Sequence, residues 1–330
     1  MILKFWRILS AAILLFCTVI ICSGFGGTKI PFDQVIRAIF AMKGDWKHIV
    51  WDIRLPRVIM SVLVGAGLAA VGGVFQGLLR NPLVDPYLLG VSSGASFGAV
   101  LSLFLADLYG FSLLYKMPLI SFGFAMIAAF VAVVLSRRNG TTPITELILS
   151  GVLVSILFNS GTILILMLLK KNITHAYVWL FGTLSGVGWK DLPVPLAAVI
   201  GFVVLSLGLS QQLNAISLGE SQARISGVNV EFVKLLVYSV GSFATAAMVS
   251  VSGVIGFVGL IMPHMARRLF GNDHKIVAVS SALVGGIFLC GCDTIARSVV
   301  SPSEIPVGVI TAFIGAPVMF VLLKKGERNA

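Results

Sequence analysis

Residues 53–95 read IRLPRVIMSVLVGAGLAAVGGVFQGLLRNPLVDPYLLGVSSGA, a long apolar run bounded by a basic Pro-containing start and a Pro-, Asn- and Asp-rich exit. At about 1.5 Å of rise per residue, a helix from Val58 to Leu79 matches a hydrocarbon core of about 30 Å. Pro56 has a fixed φ and no N–H, which suits the first turn of a helix and places Arg54 and Arg57 at that helix's start. Cations there oppose the helix dipole by about 0.3–1 kcal/mol each. Two readings of the basic pair stay open on these grounds: an anchor at the lipid headgroups, or a docking site for an acidic partner.

The rest of the chain repeats the pattern. Of 330 residues, 58% are hydrophobic and 11% charged, and the mean hydropathy is +1.02. These values exclude a soluble enzyme and a nucleic-acid-binding protein and leave a polytopic membrane protein. Apolar segments fall at 8–22, 58–79, 87–106, 117–135, 147–169, 193–209, 232–251, 276–296 and 306–323, with a shorter one at 254–263. The short one reaches about half of the bilayer core and is expected to be a half-helix buried among its neighbours. The reading is all-α, about ten transmembrane helices including one half-helix, in a single domain over residues 1–330.

Lys4 and Arg7 before an apolar run could begin a secretory signal. The following SGFGGTK lacks a convincing small-x-small cleavage site, which favours a retained first span. Cys17, Cys22, Cys290 and Cys292 all lie in apolar spans; a small-residue packing role is expected rather than a disulfide or metal framework.

Ten spans put both termini on one side. Basic residues divide almost evenly between the two sides, but Arg137–Arg138, Arg267–Arg268 and Lys324–Lys325 each abut a span end, which puts the termini in the cytoplasm. Residues 170–192 contain AYVWLFGTL, too apolar for a solvated loop and too short to span, and are read as a helix on the outer surface. Residues 211–233 form the main cytoplasmic loop. Within it ISLGESQARISGVNVEF suggests two short helices with glycine turns at Gly219 and Gly227.

Two patterns imitate enzyme motifs. Gly90-Val91-Ser92-Ser93-Gly94 fits G-x-S-x-G, and Gly65–Ala70 resembles part of a dinucleotide fingerprint. Neither follows a strand, and both enter apolar spans, so helix packing by small residues is expected for each. There is no GxxxxGK[ST], no HExxH and no Cys/His spacing suited to a metal. Asp293, near a span end, is the clearest intramembrane acid, and the scarcity of such charges argues against an ion-coupled secondary transporter. An intramembrane hydrolase using Ser92 is the third hypothesis. Gly253, Gly256 and Gly259 recur at every third position before Pro263, which marks 252–268 as an element unlike an ordinary span.

Several ordered motifs resemble one family, the permease subunits of type II ABC importers for iron-siderophores, haem and cobalamin. They are RLPR at 54–57, QGLLRNPLVDPYLLGVSSGA at 76–95, VWLFGTL at 178–184, LGESQARISGV at 218–228, GVIGFVGLIMPHMAR at 253–267 and EIPVGVITAFIGAPVMFVLL at 304–323. The resemblance implies a permease that moves an iron chelate, with a ferric siderophore first and cobalamin or haem as alternatives, across a bacterial cytoplasmic membrane. It binds no cofactor of its own, since ATP and Mg belong to the partner ATPases. It also implies a second permease subunit, forming a homodimer, two cytoplasmic ATPases and an external substrate-binding protein.

By the same resemblance, Arg54, Arg57 and Arg297 face outward to receive glutamates of the binding protein. Leu218, Gly219, Glu220, Ala223, Arg224 and Gly227 belong to coupling helices on the ATPase. Asn159, Ser160, Gly161 and Thr162 of the fifth span, with Thr311, Ala312 and Gly315 of the tenth, line the translocation path. Trp179 and Phe181 form part of an outer gate. No residue is implied as catalytic or metal-binding.

Overall fold

In a computed structural model, which describes residues 2–28, 30–42, 44–109 and 116–327, the run after Pro56 is helical but the rod begins before the proline. The first span is α1 (Ile2–Gly24), followed by a short α2 (Phe32–Ile36) and wide π turns at Arg37–Ala41 and His48–Arg54. The second set of π turns continues directly into α3 (Leu55–Leu78), so one helical segment runs from His48 to Leu78. Arg54 and Arg57 therefore lie inside a continuous rod rather than at a helix N-terminus. The dipole conflict expected from Pro56 does not arise, because the exposed N–H groups belong to the turn near His48.

The chain continues through α4 (Val91–Tyr109), α5 (Met117–Ser136), α6 (Ile144–Leu168), the short α7 (Ile173–Leu180) and α8 (Pro193–Gly208). Next come α9 (Ser210–Leu218), α10 (Glu220–Ile225), α11 (Val230–Ser252), α12 (Val258–Phe270), α13 (His274–Ser298) and α14 (Val307–Glu327). Among the described residues, eight helical segments are long and apolar enough to cross a membrane, and α14 contributes a shorter apolar helix. With α12 as the half-helix, the ten expected segments are all present as helices.

Packing is centred on α3, which is almost wholly buried. It lies against α13 through small residues: a Cβ on Gly65 would strike the carbonyl of Gly285, and one on Gly285 would strike that of Gly65. Lipid-like surroundings supply little drive for helices to associate, so this close backbone approach and its dispersion contacts hold the pair. The two enzyme-like patterns serve the same purpose. Gly94 abuts the backbone of Phe124 on α5 and Gly67 abuts Met248 on α11, while Ser92 sits in the first turn of α4 with no strand before it. Cys22, Cys290 and Cys292 are buried as expected, whereas Cys17 is exposed.

The half-helix departs from its expected position. Residues 253–257 are not helical, and α12 begins only at Val258, runs for 13 residues and keeps Pro263 inside it. Pro263 has no N–H for the carbonyl four residues before it. The opened ladder is met from α3: Gln76 Nε2 donates to Leu260 O at 3.0 Å and, more distantly, to Gly259 O at 3.5 Å.

Contacts sort the helix ends into two groups. At one end Arg7 Nη1 donates to Leu269 O at 2.9 Å, Arg267 Nη2 donates to Gly73 O at 2.6 Å, and Asn214 bonds Asp273 and the N–H of His274. This brings together the start of α1, the ends of α3 and α12, the start of α13, and α9. At the other end lie Gly24, Arg54, Arg57, Asp293 and Glu304, with Trp189 donating to Trp51 O at 3.0 Å. The extreme residues 1 and 328–330, which bear on where the termini lie, fall outside the described residues.

Candidate functional site

Arg57 is the hub of a charged cluster at the Gly24 end. Its Nε and Nη2 grip the Asp293 carboxylate at 2.9–3.2 Å. Its Nη1 donates to both oxygens of Glu304, at 2.8 and 3.0 Å. Arg297 Nε lies 3.6 Å from the same Asp293, and its Nη2 donates to Cys22 O at 2.7 Å. Arg54 donates to the carbonyls of Gly24 at 2.8 Å and Thr28 at 2.6 Å. Two of the three arginines thus donate to carbonyls in the last turn of α1, where cations are favoured.

This differs from the outward-facing arginines implied by the resemblance. Arg54, Arg57 and Arg297 are only 5%, 7% and 6% exposed, and Asp293 is fully buried. Buried guanidinium groups of this kind must be paired, because an unpaired charge taken out of water costs several kcal/mol. Glu304 is the partly open member, with its side chain 38% exposed. Glu304 opens the motif at 304–323 but carries no role implied by the resemblance. Its partner lies 247 positions away, a separation that no local pattern signals.

The expected outer-gate residues sit beside a three-way backbone junction. Thr183 N–H donates to Ser252 O at 2.8 Å, Val307 N–H to Gly182 O at 2.9 Å and Gly308 N–H to Phe181 O at 3.0 Å. The end of α7, the break after α11 and the start of α14 are thereby tied together. Gly253 has φ +68°, and a Cβ there would strike the Trp179 carbonyl. Gly308 likewise faces the carbonyls of Phe181 and Val254. The 3-10 turn Pro86–Leu89 reaches the same break from the link after α3, where the Tyr87 hydroxyl accepts the Ile255 N–H at 3.2 Å. Trp179 is buried at 7% exposure, whereas Phe181 is exposed at 54%.

The expected path residues do not share one surface. Asn159 and Ser160 are exposed on α6, but Gly161 packs on Phe97 and the buried Thr162 donates to Phe158 O at 2.8 Å. Four consecutive helical residues turn through most of a circle, which separates them. On α14 the buried Thr311 donates to Gly308 O at 3.0 Å. Gly315 is held against Phe257 and Ile261, while Ala312 is half-buried. In this structure, then, α14 presents Thr311 and Gly315 to its neighbours in the protein.

At the Arg7 end, α9 and α10 meet at Gly219, whose φ of +144° turns the chain, and α10 is followed by Gly227 at +81°. Lys234, 2% exposed, braces them. Its Nζ donates to Thr142 O at 2.7 Å and Glu220 Oε1 at 3.0 Å, and lies 3.4 Å from Glu231. Glu220 is therefore committed within the chain, and Ala223 is fully buried. The outer side carries Leu218 at 72% and Ile225 at 87% exposure, with Arg224 also projecting. Ile225 was absent from the sequence-based set. Its signal was an apolar residue two positions before the Gly227 turn.

Among the described residues no group of His, Cys, Asp and Glu could hold a metal ion. Comparison with known proteins places this architecture. The FecCD transport family model matches residues 13–325. The chain belongs to the FecCD transport family. It is 42% identical over 282 residues to the cobalamin import system permease protein BtuC of Halobacterium salinarum, covering 86% of this chain and 75% of that one. It is 32% identical to the Fe(3+)-citrate import system permease protein YfmE of Bacillus subtilis, over 98% of this chain and 96% of that one. A solved structure described as an inward-facing conformation of a metal-chelate type ABC transporter superposes with a TM-score of 0.84 at 32% identity, covering 96% and 98% of the two chains. This FecCD chain is a membrane-embedded permease subunit of an ABC importer and not itself an enzyme.

Proposed function

We propose that this permease carries a large metal chelate inward across the bacterial cytoplasmic membrane, as a homodimer driven by two ATPases and supplied by an external binding protein. The observation that carries the reading is the pair of short helices α9–α10, which presents exposed Leu218, Arg224 and Ile225 on a base braced by buried Lys234. A rigid base under apolar exposed side chains suits transmission of a push from an ATPase groove. This end is assigned to the cytoplasm, together with both termini.

The charged cluster at the opposite end is assigned to the binding protein. Arg57 is the residue proposed to meet an acidic partner, on the Nη1 edge now held by Glu304. Asp293 keeps the other edge. Docking in this scheme exchanges one carboxylate for another, so it sets orientation and on-rate more than affinity. Arg54 and Arg297 act by holding the end of α1 in place. Trp179 and Phe181, with the Gly182–Gly253–Gly308 junction, form the outer gate. Asn159 and Ser160 on α6 and Thr311, Ala312 and Gly315 on α14 line the path once the gate region moves.

A ferric siderophore is the first reading of the cargo, in line with the Fe(3+)-citrate relative. A corrinoid is the second, favoured by the 42% identical cobalamin relative. The test is uptake into proteoliposomes holding the permease and its ATPase, with binding protein outside and each labelled chelate offered in turn. ATP-dependent accumulation of one chelate is expected. Accumulation that follows a proton or sodium gradient without the ATPase contradicts the reading.

A further inference from the structure

At the Arg7 end, α1 touches α12 and α13 around Ala11, which packs with Ala266 and Phe270. Beside this contact lies an open cavity of about 750 Å³, within the usual size of small-ligand sites of about 300–1,000 Å³. Its lining is graded. Arg7, Ser10 and Arg268 supply the polar groups, while Leu14, Val284 and Ile287 supply apolar wall. Arg7 and Leu14 are about 10 Å apart along the axis of α1, so charge stands at one end and hydrocarbon at the other. Among the described residues no acidic side chain lines the cavity.

The two cations are held near each other by the fold. Arg7 Nη1 donates to the carbonyl of Leu269, the residue next to Arg268. Arg268 is exposed and makes no hydrogen bond or ion pair with any of the described residues. Guanidinium groups recognise phosphate oxygens through paired N–H donors. Basic pockets between helices at a membrane face take anionic lipid headgroups.

We propose that this cavity is an interfacial site for an anionic phospholipid. Its phosphodiester sits on Arg7 and Arg268, and an acyl chain lies along Leu14, Val284 and Ile287. The lipid bridges α1 to the end of α12, the half-helix that α3 steadies through Gln76 and Arg267.

The test uses the full chain purified in a neutral detergent, with bound lipid read by native mass spectrometry after titration with phosphatidylglycerol or phosphatidylcholine. About thirtyfold tighter retention of phosphatidylglycerol is expected, from about 1 kcal/mol for each of the two arginines facing an anionic lipid. Arg7 also holds the α12 carbonyl, so two further variants spare it. Arg268→Gln is expected to erase most of the preference and leave phosphatidylcholine unchanged. Ile287→Trp, which fills the apolar wall with both arginines present, is expected to reduce retention of phosphatidylglycerol. Millimolar glycerol phosphate is expected to leave the lipid bound. Equal retention of the two lipids by the unaltered protein, or undiminished preference in Arg268→Gln, overturns the proposal. Displacement by glycerol phosphate also overturns it, because the site then answers to a soluble phosphate.

Discussion

The arginines that first looked misplaced are internal struts. Arg57 joins α3 to α13 through Asp293 and to the loop before α14 through Glu304. Truncating one partner of a buried pair leaves an uncompensated charge, at a cost of about 3–5 kcal/mol. Asp293→Ala takes the fully buried counter-ion from both Arg57 and Arg297 and leaves Arg57 only Glu304, so it is expected to lower the thermal unfolding midpoint strongly in detergent. Glu304→Gln removes a half-exposed charge and leaves Asp293 in place, and its expected cost is about 1 kcal/mol or less. Equal, small shifts for both variants would show that the cluster is more solvated than its geometry indicates. Glu304→Gln leaves Arg57 Nη1 one neutral acceptor in place of two charged oxygens, so stimulation of the partner ATPase by binding protein is expected to rise; a fall would point to Glu304 itself as a docking residue. Arg54, Arg57 and Arg297 could be grouped from sequence only through the family resemblance, since basic residues divide almost evenly between the two sides. Their burial could not, since their partners are backbone carbonyls and, for Arg57, two acids more than 200 positions away.

The spans were legible as elements because apolar length alone requires a helix in lipid, where every backbone group must be bonded internally. The two short helices and the turns at Gly219 and Gly227 were legible for a related reason, since glycine marks positive φ. The half-helix was placed too early. Gly253, Gly256 and Gly259 sit in an apolar context that reads as helix, yet residues 253–257 are non-helical because Gly253 and Gly308 let three backbones meet. A Gly308→Val variant is expected to open the junction and make residues 181–183 newly sensitive to protease while the remaining spans stay protected. Unchanged protection would mean that the junction tolerates a side chain. At α9–α10, combining Leu218→Asp with Ile225→Asp changes exposed positions, so stability is expected to stay within about 0.5 kcal/mol. Recovery of the ATPase with the permease is expected to drop severalfold. Glu220→Arg is expected to lower stability as well, because it places a second cation beside buried Lys234. If it affects assembly alone, the bracing role of Lys234 is wrong.

Over the whole molecule, the two ends proposed for docking and coupling stand on a common central pair, α3 and α13. Asp293 and Arg297 at the Glu304 end of α13 face Arg57 of α3. At the other end Asn214 ties α9 to the start of α13. The small-residue contact at Gly65 and Gly285 lets the two rods lie close enough to carry a displacement between the ends. The central claim is that ATP hydrolysis at the α9–α10 end drives chelate entry at the Arg57 end. The most direct measurement is uptake of a labelled ferric chelate or corrinoid by proteoliposomes containing the permease and its ATPase, with binding protein outside and ATP inside. The account predicts accumulation that requires all three components and is lost when Leu218→Asp is combined with Ile225→Asp. Accumulation that persists in that variant, or that proceeds without ATP, would contradict it.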